Sequence, residues 1–243
     1  MTTLPSMPLA STLISARTHA DFLAALLDGD RSRCLALTEQ VLRSGIPVLT
    51  LYQDLYQSAL YQIGELWASN RISVAREHLA TALVEGLLNQ VYPRVIAPHR
   101  VHRRIVVASV EGELHQIGAK MVCDVFEMHG WDAFYLGADM PTCELLHLLR
   151  EQCPDLLGLS LSVYLHLNTL LHMLDAVRAE FPILPILIGG QGLRQVGPSL
   201  VLGPAVHYVA DLDALNRFVA DWDQTAVSAL TVTTLPTIQE AGP

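Results

Sequence analysis

RIVVASVEGELHQIGAK, residues 104–120, decides the fold. RIVVASV is apolar at nearly every position, as a strand buried on both faces must be, and basic PHRVHRR precedes it. The run breaks into EGELHQ, and Gly118 opens a helical pattern. A polar loop between such a strand and its helix is where open α/β sheets hold ligands. His115 lies in that loop, with Glu113 two residues earlier. At this spacing the carboxylate can hold one ring nitrogen, turning the other toward a metal and raising its basicity. Local sequence leaves a second reading open, a surface histidine beside acidic neighbours.

Toward the C-terminus the short β-rich runs continue as DAFYLGA, LLGLSLS, PILIGG and AVHYVA, separated by longer helical stretches. This alternation predicts a five-stranded parallel sheet covered by helices, with ligands beyond Val110, Ser162 and Gly190. Toward the N-terminus, apolar residues recur at three and four spacings from His19 to Ala97, enough for four helices. Gly45 suits the end of the second, Pro47 the first turn of the third, Asn70 a left-handed stop, and Ser73 the N-cap of the fourth. The expected organisation is a flexible tail (1–18), a helical domain (19–97), a linker (98–103), an α/β domain (104–222) and a second flexible tail (223–243).

With 243 residues, 51% of them hydrophobic, the chain can bury a large core or two modest ones. A formal net charge of −9 and the lack of a Lys/Arg run disfavour direct nucleic-acid binding. Cys34, Cys123, Cys143 and Cys153 form no C-x-x-C pair, which argues against zinc and a disulfide framework and for a reducing cytoplasm. The N-terminus lacks the pattern of a secretory signal, and apolar stretches such as Pro182 to Leu187 fall far short of the roughly 20 residues of a membrane span. No membrane association is expected.

A second constellation lies in the helical half: Trp67, nine intervening residues, then Glu77-His78. Trp67 falls about a turn before the break at Asn70, and the Glu-His pair about a turn after the restart at Ser73. An indole, a carboxylate and an imidazole would thus meet on facing helices. A core tryptophan beside an amphipathic helix is the plainer alternative. His99 and His102 belong to the linker, while His129, His147, His166, His172 and His207 lack metal-ligand spacing and read as surface or satisfied core residues.

Glu113-x-His115-x-x-Gly118, YLGADMP (135–141), GLSLS (158–162) and IGGQG (188–192) together resemble the cobalamin-binding domain of methionine synthase, corrinoid methyl carriers and cobalamin-dependent mutases. The usual motif begins with Asp; Glu113 in its place resembles the CarH-type light-sensing regulators. The resemblance implies a helical-bundle cap followed by a flavodoxin-like domain. It further implies that His115 is the lower cobalt ligand, displacing dimethylbenzimidazole, whose tail enters a groove lined by Ser160, Ser162, Gly189 and Gly190. Ser160-Leu161-Ser162 departs from the usual Ser-x-Leu of the methyl carriers and puts the contact to the tail's ring in question.

Trp-x9-Glu-His is similar to the cap signature of CarH-type photoreceptors. By that likeness Trp67 shields the upper corrin face and the adenosyl group, Glu77 hydrogen-bonds that group, and His78 is free in the dark. When light cleaves the cobalt–carbon bond, His78 takes the vacated position in a bis-His state. The implied cofactor is adenosylcobalamin. A bilin such as biliverdin is a further implied pigment, through stand-alone relatives called photocobilins and the aromatic Tyr52, Tyr56 and Tyr61, although core packing is the safer reading of these tyrosines. The MerR-like DNA-binding domain of CarH has no expected counterpart, so output would pass to a protein partner or a homo-oligomer. A corrinoid methyl carrier serving a methyltransferase and an antirepressor of a transcription factor are the alternative functions.

Overall fold

In the computed structural model the described residues are 14–194, 196, 203 and 205–232, the last ten by backbone alone. Ser15 caps α1 (Ala16–Asp28) by accepting the Thr18 N–H, and Gly29 ends it in the left-handed region. Asp30 caps α2 (Arg31–Arg43) in the same way through Arg33. The third helix is one rod over residues 48–68, made of α3 (Val48–Thr50), a π-helical segment (Leu51–Gln57) and α4 (Ser58–Ala68). Pro47 is its N-cap, one place before the first turn expected for it. Asn70 takes φ 56° as the chain turns, and Ser73 caps α5 (Val74–Val91) by accepting the Arg76 N–H.

The π segment presents Leu51, Tyr52, Leu55 and Tyr56 to the core together. Tyr52 and Tyr56 are fully buried, stack on each other, and Tyr56 also stacks on Phe22. These two side chains are filled core, so the bilin expectation gains no support from them.

The sheet comprises β1 (Arg104–Ser109), β2 (Asp132–Tyr135), β3 (Leu156–Ser160), β4 (Ile186–Gly189) and β5 (Val206–Tyr208), in the order β2-β1-β3-β4-β5. All pairs are parallel, and Ser109, Ser160 and Gly189 lie level across β1, β3 and β4. This flavodoxin-like order reverses between β1 and β3, the place beyond whose carboxyl ends open α/β sheets hold ligands. Side chains alternate between two cores. Val106, Ala108, Leu157 and Leu159 pack toward α7 (Thr142–Gln152) and α8 (Leu167–Glu180). Ile105, Val107 and Leu156 share a core with α6 (Ile117–Met128), α9 (Leu212–Val232) and the helical domain itself.

Two tail boundaries need correction. Helix α1 begins at Ala16, inside the expected tail, because Ser15 supplies a cap; residues 1–13 lie outside the described residues. Helix α9 continues to Val232, so 223–232 extend the last helix rather than forming a tail, while 233–243 lie outside the described residues.

The linker is strapped to the α6–β2 turn. Ala97 and Val101 donate backbone N–H bonds to Glu127 and Gly130, and Asp132 donates to Arg103. The Arg100 guanidinium meets Glu127 at 2.6 Å and Asp132 at 2.7 Å. Deeper in, the Tyr52 hydroxyl donates to Asp124 Oδ2 of α6 at 2.7 Å. Burial is the main force raising the Asp124 carboxyl from 3.8 to about 6, against the Tyr52 bond and Lys120. A carboxyl raised on folding adds stability that is whole below pH 3.8 and lost as pH rises through about 6. Asp124→Asn should therefore melt several degrees above the native chain at pH 8 but not at pH 4. An equal difference at both pH values would show that the carboxyl is not the source.

Candidate functional site

The loop after β1 is folded by its own polar atoms. The Ser109 hydroxyl donates to the His115 carbonyl at 3.0 Å, and the Glu113 N–H closes a turn onto Val110. Gly112, at φ 80°, donates its N–H to Asp139 Oδ1 at 2.7 Å, and the Asp139 N–H returns to the Glu113 carbonyl. Two neighbouring strand ends are thereby tied together.

Glu113 is completely buried at the centre. Its Oε1 accepts from the His115 backbone at 3.0 Å and ring Nδ1 at 2.5 Å; its Oε2 accepts from Ser162 N at 3.0 Å and Val163 N at 2.8 Å. The longer side chain of Glu thus spans the switch point, holding the imidazole with one oxygen and the β3 loop with the other. Burial alone would raise this carboxyl, but the bonds from His115 and Val163 outweigh it and hold it at about 2. The same ring bond raises His115 against its burial, and the charges of Glu113 and Glu77 add to the effect. With Nδ1 engaged as donor, Nε2 carries the free lone pair.

The β4 loop packs its backbone directly on β3. Leu161 N donates to the Gly189 carbonyl, and Gly192 N donates to the Leu161 carbonyl. Gly190 has φ 108°, and a Cβ there would overlap the Leu161 carbonyl. A Cβ on Gly189 would stand 3.1 Å from the Val209 carbonyl. Ser160 is buried at the end of β3, and Ser162 is half-buried beside it. Gly118 lies in the first turn of α6, where a Cβ would meet no protein atom within 4 Å.

On the helical side, Glu77 accepts from the Thr81 hydroxyl at 2.9 Å and pairs with His78 Nδ1 at 2.5 Å. The His78 ring is 74% exposed, with Nδ1 held by Glu77 because adjacent side chains on the first turn of α5 can bend together. The Glu77 charge on the first turn of α5 adds the smallest of the contributions that raise His115. Trp67 stands on the last turn of α4 with its indole exposed. Asp139 lies within YLGADMP, and the sequence signal for it is an Asp just beyond β2, the strand adjoining β1. The Ser162 and Val163 amides carried no side-chain signal.

The donor set suits a corrinoid. His115 offers Nε2 with its other nitrogen braced by a buried carboxylate, the outer support that metal-bound imidazoles normally have. Leu114, Tyr164 and Leu165 leave apolar surface exposed on the same loops, fitting the face of a large flat macrocycle. Gly118 leaves open space beside the histidine loop.

Comparison with known proteins agrees with this arrangement. A B12 binding domain family of the helical type matches residues 18–92, and the B12 binding domain family matches residues 103–220. The chain belongs to the B12-binding proteins. Among its relatives, the HTH-type transcriptional repressor CarA of Myxococcus xanthus is 34% identical over 155 residues, covering 63% of this chain and 52% of the repressor. The HTH-type transcriptional repressor CarH of the same organism is 28% identical over 185 residues, covering 74% of this chain and 61% of the repressor. The chain thus spans between half and two thirds of the length of these relatives. In fold it is similar to the monomethylamine corrinoid protein of Methanosarcina barkeri, with a TM-score of 0.73 at 13% identity, covering 85% of this chain and 98% of that one. Among the described residues, no helix is long and apolar enough to cross a membrane.

Proposed function

We propose that this protein is an adenosylcobalamin-dependent light sensor that signals through a protein partner or a change of assembly. The observation carrying the reading is the pairing of two carboxylate-braced imidazoles, His115 on Glu113 and His78 on Glu77, in domains close enough for the Glu77 charge to act on His115. When bound, adenosylcobalamin supplies the light absorption and the cleavable cobalt–carbon bond.

The chain's own residues do the rest. His115 holds the cobalt through Nε2, and Glu113 keeps its proton on Nδ1. Ser160, Ser162, Gly189 and Gly190 line the groove for the displaced nucleotide tail, while Gly118 leaves room beside the macrocycle. Trp67 would cover the bound cofactor and limit water access, and Glu77 would accept a hydrogen bond from its adenosyl group. His78, held by Glu77, would be the side chain that moves to ligate the metal after illumination. Such movement of α5 alters the surface offered to a partner. The free cysteines among the described residues suit a reducing cytoplasm.

The test is to load the full chain with adenosylcobalamin in the dark, then record absorbance and size-exclusion profiles before and after green light. A stable spectral conversion with altered assembly or partner binding is expected. His78→Ala should bind the dark cofactor normally yet fail to reach the native illuminated spectrum; an identical spectrum would remove His78 as the incoming ligand. Binding without any light-driven change in ligation or assembly would overturn the sensor reading in favour of a methyl carrier.

A further inference from the structure

The third helical rod carries Tyr52 near its start and Trp67 near its end. Helix α6 carries Asp124, and His115 lies just before its first residue, Ile117. The Tyr52–Asp124 bond therefore joins two rigid elements whose far ends bear the groups on either side of the cofactor site. Tyr52 is wholly buried and Asp124 is 2% exposed, so water cannot replace either partner cheaply.

Two weaker attachments follow along the rod: Gln53 donates to Asp213 of α9 at 3.0 Å, and the Arg194 guanidinium sits 4.8 Å above the Tyr61 ring. With the strapped linker, these contacts fasten the base of the helical domain to the α/β domain. The hairpin beyond them is different, with Trp67, Val74 and Leu79 all exposed.

We propose that Tyr52 and Asp124 are positioning residues that set the height of the Trp67–His78 hairpin over His115, confining conformational response to the hairpin instead of a swing about the linker. The functional meaning rests on the cobalamin reading above, but the mechanical claim is testable without cofactor.

Hydrogen exchange would be followed by mass spectrometry in the full chain as native, Tyr52→Phe and Asp124→Asn forms. Phe keeps the ring packing and removes the hydroxyl; Asn keeps an oxygen that can accept from Tyr52. In Tyr52→Phe, exchange over residues 58–81 should accelerate about tenfold or more, with β1, β3 and β4 unchanged. Asp124→Asn should show no acceleration over the same residues. If Tyr52→Phe does not fold, Tyr52→Phe/Asp124→Leu removes both polar partners without orphaning a carboxylate, and should show the same local acceleration.

Unchanged exchange over 58–81, a uniform increase that includes the sheet, or equal losses in Tyr52→Phe and Asp124→Asn would each overturn the proposal. In chains carrying His78→Ala and loaded with hydroxocobalamin, adding Tyr52→Phe should retain the His115-ligated spectrum while added imidazole binds the cobalt at least about fivefold faster. An unchanged imidazole rate would count against positioning. Failure of every form to bind a corrinoid would instead defeat the cofactor reading, leaving hydrogen exchange to decide the mechanical claim.

Discussion

His115→Ala should abolish imidazole coordination and lower cobalamin affinity by more than about a hundredfold, because a direct ligand contributes more than the outer partners whose loss costs 10–100-fold. The chain should still fold, with a lower melting temperature because buried Glu113 loses its ring partner. The His115 ring is 55% exposed, and its backbone N–H still reaches Glu113, whose other oxygen still receives Ser162 and Val163. Loss of binding in a chain that still folds, with imidazole coordination recovered on adding free imidazole, separates a ligand from a structural histidine. Any cobalamin that remains bound should show the spectrum of the free, base-on cofactor, and added imidazole should partly restore the native one. An unchanged base-off spectrum and affinity in the variant would refute the lower-ligand assignment.

Gly190→Ala should have the opposite profile, a folding defect first. The residue combines φ 108° with a backbone approach so close that a Cβ would lie 2.7 Å from the Leu161 carbonyl carbon and 2.9 Å from its nitrogen, besides overlapping its oxygen. These neighbours are backbone atoms of the segment running out of β3, so no side chain can swing aside. The strained backbone and the forced separation of the two segments together should cost about 3–5 kcal/mol, seen as a lower denaturant midpoint. Gly118→Ala is the informative contrast. A Cβ there meets no protein atom, and alanine favours the helix, so stability should hold while cobalamin affinity falls. A Gly190→Ala chain as stable as native would mean that the loop relaxes freely, and the glycine would have to be explained by the cofactor alone.

Much of this architecture is legible in residue order because the decisive signals are local. The apolar run at 104–110 has no amphipathic alternation, which suits a central strand flanked by neighbours and covered on both faces. The two-residue spacing of Glu113 and His115 lets a side chain reach the following ring without any knowledge of tertiary structure. The other half of Glu113's role was hidden, since its partners are amides of Ser162 and Val163 about fifty residues away, and an amide has no residue-type signature. Asp124 is legible locally: an acidic side chain within KMVCDVFEM, on a helix that also buries Met121, Cys123, Val125 and Phe126, signals a buried polar partner. The end of α9 is not legible in DQTAVSALTV, which mixes β-branched and small residues of weak helix preference. Hydrogen bonding continued from the preceding turns carries the helix through them.

The π segment at Leu51–Gln57 gave no such signal, because its buried residues also satisfy ordinary helical spacing. Its consequence is one of phase. Each residue advances an α-helix by about 100°, so one residue more or fewer in this turn would leave the length of the rod nearly unchanged while rotating everything after it. Trp67 is therefore aimed by a count made fifteen residues upstream as much as by its own place in the chain. Two related sequences with aligned tryptophans present the same face to the same target only if their wide turns also correspond. A deletion there would scramble the aim of the hairpin without touching any residue in it.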